Sequence, residues 1–245
     1  MKAIVFGATK GIGRAVARRL SERGHSVFLL GRNRADLAAS ATDIEIRAGR
    51  EKVGFALCDL EKPATFEKAL ASGDAALGNF DAVFVSAAMF ATQDKLENDP
   101  VFLERMLHAN FTATVLFCEA ARKRLLARGG GTLCVVSSVA GERARKPVIL
   151  YGASKAGLTR YLEGLDHKFR SAGLRTVTVK PGFVRTGMTA GLPVPPFAGD
   201  PEGVSRDIVA AMESGTPVVY TPRIWGLVLF VIRHLPRFVM RKIKF

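Results

Sequence analysis

Gly7-Ala8-Thr9-Lys10-Gly11-Ile12-Gly13 stands between a short apolar run, Ala3-Ile4-Val5-Phe6, and a segment in which Ile12, Val16 and Leu20 share one face at helical spacing. An apolar run of that length suits a strand buried on both sides. Glycine lets the backbone turn tightly and approach a ligand closely. The start of the helix that follows presents free N–H groups and the positive end of a dipole, which suit a phosphate. Three glycines alone could be a simple turn. Their place between a first strand and a first helix makes them read as a phosphate loop.

Working outward, strand-like and helix-like segments alternate. Strands are expected over 3–6, 26–30, 52–57, 81–85, 132–137 and 176–180, with a seventh at Val218–Thr221. Helices are expected over 12–23, 34–48, 64–77, 101–127 and 151–171. Strands apolar on both faces and separated by helices mean a parallel sheet covered on both sides. Right-handed crossovers then lead to an α/β, doubly wound, Rossmann-type domain with a mostly seven-stranded parallel sheet. No linker, repeat or low-complexity stretch divides it. Residues 1–222 read as one cofactor-binding and catalytic unit, with 223–245 as an apolar and basic C-terminal extension.

Composition agrees with a globular chain. Of 245 residues, 48% are hydrophobic and 24% charged, enough apolar material for a sizeable core. The net charge of +14 favours anionic ligands. No recognition helix, zinc-finger spacing or aromatic-rich motif accompanies it, so nucleic acid is not the expected partner. Cys58, Cys118 and Cys134 sit among apolar neighbours without paired spacing and read as reduced core thiols of a cytoplasmic protein. His25, His108, His167 and His234 are scattered without ligand spacing, so no metal site is expected. No secretory signal is read at the start, and no apolar run is long enough to span a bilayer.

The second strand ends Leu29-Leu30-Gly31-Arg32. A free ribose 2′-OH usually meets an acidic residue here, whereas the Arg32 fork suits a 2′-phosphate. Lys10, inside the glycine loop, adds a second cation. Both favour NADP(H), with NAD(H) left as the alternative.

Tyr151-Gly152-Ala153-Ser154-Lys155 opens a helix, and residues four apart share a face. A phenol, with a free pKa of about 10, is a poor acid–base group at neutral pH. A neighbouring ammonium lowers that value and suits the phenol to protonating a carbonyl oxygen. Ser137 and Ser138 follow the fifth strand at the carboxyl edge of the sheet, and Ser138 can donate to a substrate oxygen.

With Asp59 after the third strand, Asn110, Ser138, the Tyr151–Lys155 pair and Pro181-Gly182-Phe183-Val184-Arg185-Thr186, the chain resembles the short-chain dehydrogenase/reductase family over about residues 1–220. The resemblance implies a catalytic tetrad. Tyr151 is its general acid/base, Ser138 orients the carbonyl or alcohol, Lys155 holds the nicotinamide ribose, and Asn110 holds a relay water. It further implies cofactor contacts from Gly7, Thr9, Lys10, Gly11, Ile12, Gly13, Arg32, Asp59, Leu60, Ser86, Ala87 and Ala88. Asn110, Tyr151, Lys155, Pro181, Gly182, Val184 and Thr186 complete that set. Asp59 would meet the adenine, and the stretch from Pro181 to Thr186 the nicotinamide amide. A homodimer or homotetramer is implied as well. One segment departs: the family often has Asn-Asn-Ala-Gly where this chain has Val85-Ser86-Ala87-Ala88, which removes the asparagines that brace the sheet.

The leading expectation is an NADPH-dependent carbonyl reductase. The alternative is a non-catalytic NADP-sensing protein on the same fold. The lid-like stretch 187–200 carries Leu192-Pro193-Val194-Pro195-Pro196-Phe197, whose apolar character favours a hydrophobic substrate portion. After the seventh strand the chain continues with an apolar stretch from Ile224 to Ile232. A basic stretch follows with Arg233, Arg237, Arg241, Lys242 and Lys244 and no acid. The extension 224–245 suits peripheral contact with a membrane's inner face, and equally a tail packed on a partner subunit or over the cleft. In this character it also resembles reductases of lipid-linked substrates.

Overall fold

The computed structural model describes residues 1–49 and 52–243. Seven strands form one parallel sheet in the order β3-β2-β1-β4-β5-β6-β7. They are β1 (Lys2–Phe6), β2 (Ser26–Gly31), β3 (Gly54–Leu57), β4 (Ala82–Val85), β5 (Gly131–Val136), β6 (Leu174–Pro181) and β7 (Val218–Thr221). The order reverses between β1 and β4, which opens a crevice at the carboxyl ends of those two strands. The expected α/β doubly wound architecture is therefore the one observed.

Alternation along β1 builds both layers. Ile4 and Phe6 face one core with Phe28, Leu30, Phe117, Leu158 and Leu162. Ala3 and Val5 face the other with Val16, Leu20, Leu37, Ile208 and Met212. The first core is covered by α3 (Phe66–Leu77), α6 (Thr114–Leu126) and α7 (Ile149–Phe169). The second is covered by α1 (Gly11–Glu22), α2 (Arg34–Ala48) and α8 (Pro201–Ser214). Cys58, Cys118 and Cys134 are buried free thiols.

Three differences from the expected elements have physical reasons. The single helix expected over 101–127 is α5 (Pro100–Leu107) and α6 joined by a π-helical turn at His108–Ala113. There the Thr114 hydroxyl donates to the Ala109 carbonyl at 2.8 Å, and the widened turn directs Asn110 inward. Before the extension, two helices were not anticipated, α4 (Gln93–Asn98) and α8. Helix α8 had a legible start: Asp200 accepts from the Gly203 N–H at 2.8 Å, Pro201 follows, and Val204, Ile208, Val209 and Met212 make the buried stripe. The strand expected over 52–57 begins only at Gly54, because the Val53 N–H is taken by the Glu45 carboxylate at 2.6 Å.

The extension forms α9 (Ile224–His234) and α10 (Arg237–Lys242). Lys244 and Phe245, the last residues of the tail read from the sequence, lie outside the described residues. Trp225 and Leu229 of α9 bury themselves with Val139, beside Tyr220 and Val228. Arg143 donates to the Leu235 carbonyl and Lys146 to that of Arg241, each at 2.6 Å. The tail thus folds back on the same chain, against the loop that follows β5.

Candidate active site

The glycine loop is shaped by contacts that exclude side chains. Gly7 and Gly11 adopt φ of +93° and +51°. A Cβ on Gly13 would lie 2.0 Å from the Gly7 carbonyl oxygen, so only glycine lets α1 start this close to β1. Helix α1 has no capping side chain and no acid in its first turn. Its leading N–H groups and dipole are directed to the cleft without a built-in anion, which fits a phosphate.

The departing segment after β4 carries its own braces. Ser86 donates its N–H to the Phe6 carbonyl at 2.9 Å and its hydroxyl to the same oxygen at 3.3 Å, tying β4 to β1. Met89 N–H donates to Asn110 Oδ1 at 2.7 Å, and Asn110 Nδ2 donates to the Met89 carbonyl at 2.8 Å. Asn110, fully buried, clamps both backbone groups of one residue. It stands behind the cleft wall, whereas Ser86, Ala87 and Ala88 line the cleft.

At the β2 end, Arg32 and Lys10 are both largely exposed, 71% and 81% of their side-chain surface. Arg32 lies 4.0 Å from Glu61 and Lys10 3.5 Å from Asp36. Glu61 is held more tightly by Arg105, at 2.7 and 3.1 Å, which keeps its carboxyl below the usual range. Asp59 accepts from the Glu61 N–H at 3.1 Å, and Leu60 is buried beside it.

Ser138 lies in extended backbone at the end of β5, and its hydroxyl accepts from the Ala140 N–H at 3.1 Å. The short turn Val139–Gly141 presses against α7 backbone to backbone. A Cβ on Gly141 would meet Ala156 N at 2.8 Å, and one on Gly152 would meet the Ala140 oxygen at 2.8 Å. That approach sets Ser138 and Tyr151 beside each other. Buried Ser137 reinforces it, donating to the Lys155 carbonyl at 3.0 Å and hydrogen bonding to the Thr159 hydroxyl at 2.7 Å.

Lys155 is buried and its Nζ donates to the Val136 carbonyl at 3.1 Å. Burial pushes its pKa down to about 8. Burial pushes the Tyr151 phenol up to about 12, against an opposing pull from its hydrogen bond with Ser138. The phenol thus holds its proton at neutral pH in this state; the lowering expected from Lys155 is not found, because burial sets the direction of the shift. Phe90 stands edge-on to the Tyr151 ring with centroids 5.0 Å apart.

On the far wall, the Gly182 N–H donates to the Thr221 carbonyl at 3.0 Å. Thr186 comes against the glycine loop, where a Cβ on Gly11 would lie 3.2 Å from its methyl group. Val184 is buried and bridges to Gly199. The fold gathers these groups into one cleft of about 830 Å³. The glycine loop, Arg32, Asp59, Leu60, Ser138, Tyr151, Lys155, Pro181, Gly182, Val184 and Thr186 all line it; of the residues expected at the site, Asn110 alone does not. Sequence reading missed Phe90, Arg145, Met188 and Trp225, which also line it. No spacing rule connects them to the site, since they come from separate loops and the tail.

Comparison with known proteins gives this geometry a lineage. The sequence model described as short chain dehydrogenase matches residues 1–194. An "uncharacterized oxidoreductase" of Mycobacterium tuberculosis is 32% identical over 241 residues, covering 98% of this chain and 95% of that protein. Carbonyl reductase family member 4 of Danio rerio is 30% identical over 238 residues, covering 94% of this chain and 95% of that protein. Among solved structures, levodione reductase superposes with a TM-score of 0.81 at 21% identity, over 89% of this chain and 95% of that one. An actinorhodin polyketide ketoreductase solved with NADPH superposes at 0.80 and 22%, over 89% and 94%. The chain is an oxidoreductase of the short-chain dehydrogenase/reductase family.

Proposed function

We propose that this protein is an NADP(H)-dependent reductase that converts a carbonyl group to a secondary alcohol. The observation that carries the reading is Ser138, Tyr151 and Lys155 lining one cleft with an uncapped glycine loop. When bound there, the nicotinamide cofactor supplies the hydride. Ser138 holds the carbonyl oxygen, and Tyr151, protonated at neutral pH, gives it a proton. Lys155, still largely charged at pH 7, steadies the phenolate left behind. Asn110 acts as a positioning residue through Met89.

Arg32 and Lys10 support the choice of NADP(H), because both stand exposed beside the glycine loop and the end of β2, and Arg105 occupies Glu61, the acid beside Arg32. NAD(H) would meet no acidic acceptor on β2 itself. Met188, Leu192, Pro195 and Trp225 in the cleft lining favour a hydrophobic portion of the substrate. Exposed Val101, Leu107, Phe111 and Leu116 along α5, the π-helical turn and α6 support a homodimer or homotetramer. The buried thiols suit a cytoplasmic enzyme. Residues 1–222 supply nearly all of the site, and the extension adds Trp225 to it.

The test is NADPH consumption by the purified protein across a panel of aliphatic, cyclic and aromatic ketones, beside Tyr151→Phe. Turnover lost in the variant is expected. Tight NADPH binding with no turnover on any ketone would instead mean a cofactor-sensing protein.

A further inference from the structure

Helix α9 is apolar on two opposite faces. Trp225 and Leu229 are buried against Val139, and Trp225 donates its indole N–H to the Phe197 carbonyl of the lid at 3.2 Å. At 100° per residue, Ile224, Leu227, Phe230 and Val231 fall on the other side, and all are exposed, Leu227 by 65%. Phe238 of α10 adds a further exposed ring, at 64%. A surface helix normally turns a polar face to water, so a second apolar face needs a second apolar environment.

The charge around that face says which environment. Arg223, Arg233, Arg237, Arg241 and Lys242 are exposed, and residues 222–243 contain no acid. Among the described residues only Arg223 of these five has a carboxylate partner, Asp207 at 3.6 Å. A second copy seated on this face by two-fold symmetry would bring like charges together. Phosphate-bearing lipid headgroups would neutralise them while the acyl boundary takes up the aromatic and aliphatic side chains. No described helix is long and apolar enough to cross a membrane, so the contact is peripheral.

We propose that the outer face of α9 and α10 docks on an anionic lipid bilayer. Docking sets the bilayer against the helix whose inner face, through Trp225, forms part of the cleft wall. The lid residue Phe197, exposed by 58%, accepts the Trp225 indole N–H and so stands beside the same helix. The docking rests on the exposed face and its cations alone and does not depend on the reductase reading.

The test is co-sedimentation of the full chain with phosphatidylcholine vesicles containing or lacking 30% phosphatidylserine, at low and high salt. Binding to the anionic vesicles is expected, falling with salt and by roughly fivefold for each of Arg237→Gln and Arg241→Gln. Leu227→Glu with Phe230→Glu should abolish it while ketone turnover and oligomeric mass stay unchanged. No binding to anionic vesicles, or binding that survives the double substitution, overturns the proposal. So does a double variant whose oligomer dissociates, which would make the face a subunit contact. Turnover on a water-soluble ketone is read separately, so failure of docking and failure of the reductase reading are distinguishable.

Discussion

The Lys155 ammonium lies 5.8 Å from the centre of the Tyr151 ring, held there by its bond to the Val136 carbonyl. The pair one helical turn apart in sequence is thus a pair in space, with the lysine anchored to the end of β5. Removing the phenol hydroxyl should leave that anchor intact. Tyr151→Phe is expected to lower ketone turnover on the order of 10²- to 10⁴-fold, with NADPH affinity measured by fluorescence titration unchanged. Equal losses of affinity and turnover would assign the tyrosine to binding.

The two groups titrate in opposite senses away from their free values. In the proposed mechanism the productive form for reduction has the phenol protonated and the ammonium charged. Lys155 loses its proton near pH 8, well before Tyr151 near 12. Reduction measured as kcat/KM should therefore fall as pH rises through about 8, with no further step below 10. Stability moves the other way. Between about 8 and the ordinary lysine value of 10.5 the unfolded chain holds a proton that the folded chain has lost. Unfolding free energy should rise with pH across that window, and Lys155→Met should flatten the rise. A pH–stability curve identical in the variant would contradict the buried, depressed ammonium.

Asn110 clamps Met89 through two hydrogen bonds from a fully buried position. Asn110→Ala leaves the partly buried Met89 N–H and C=O without that partner, at a cost of about 1 kcal/mol or more. The expected fall in Tm is on the order of 5 °C, readable by calorimetry. A larger loss in kcat than in cofactor affinity should accompany it, because Met89 and Phe90 stand on the Tyr151 side of the cleft.

At the ribose end, Arg32→Glu places an acid where a 2′-phosphate would lie. KM for NADPH should rise by about 10- to 100-fold, the worth of a charge-assisted hydrogen bond, while KM for NADH changes little. Equal changes for both cofactors would remove Arg32 from discrimination.

Trp225→Ala removes the buried side chain that fixes α9 to the core and closes the cleft beside Gly182. Hydrogen exchange over residues 224–234 should accelerate strongly while the sheet stays protected. Protection unchanged in α9 would mean that its anchoring lies in the Arg143–Leu235 bond instead.

What the chain shows without its fold follows from local rules. A run such as Ala3 to Phe6, flanked by Gly7 and an amphipathic helix, declares a buried parallel strand and a phosphate loop, because glycine geometry and two-sided burial are properties of neighbours in sequence. Tyr151 and Lys155 declare themselves the same way, being one turn apart. The start of α8, with Asp200 and Pro201, obeyed the same rules and was passed over. Tertiary structure decided what depends on residues far apart. It turned Asn110 away from the cleft and onto Met89 through a π-helical turn, and let Ser86 supply a brace that the missing asparagines removed. It brought Arg105 onto Glu61 beside Arg32, and seated Trp225 from the tail in the cleft wall. It also let burial raise the Tyr151 phenol, since desolvation is a property of the surrounding volume and no sequence spacing encodes it.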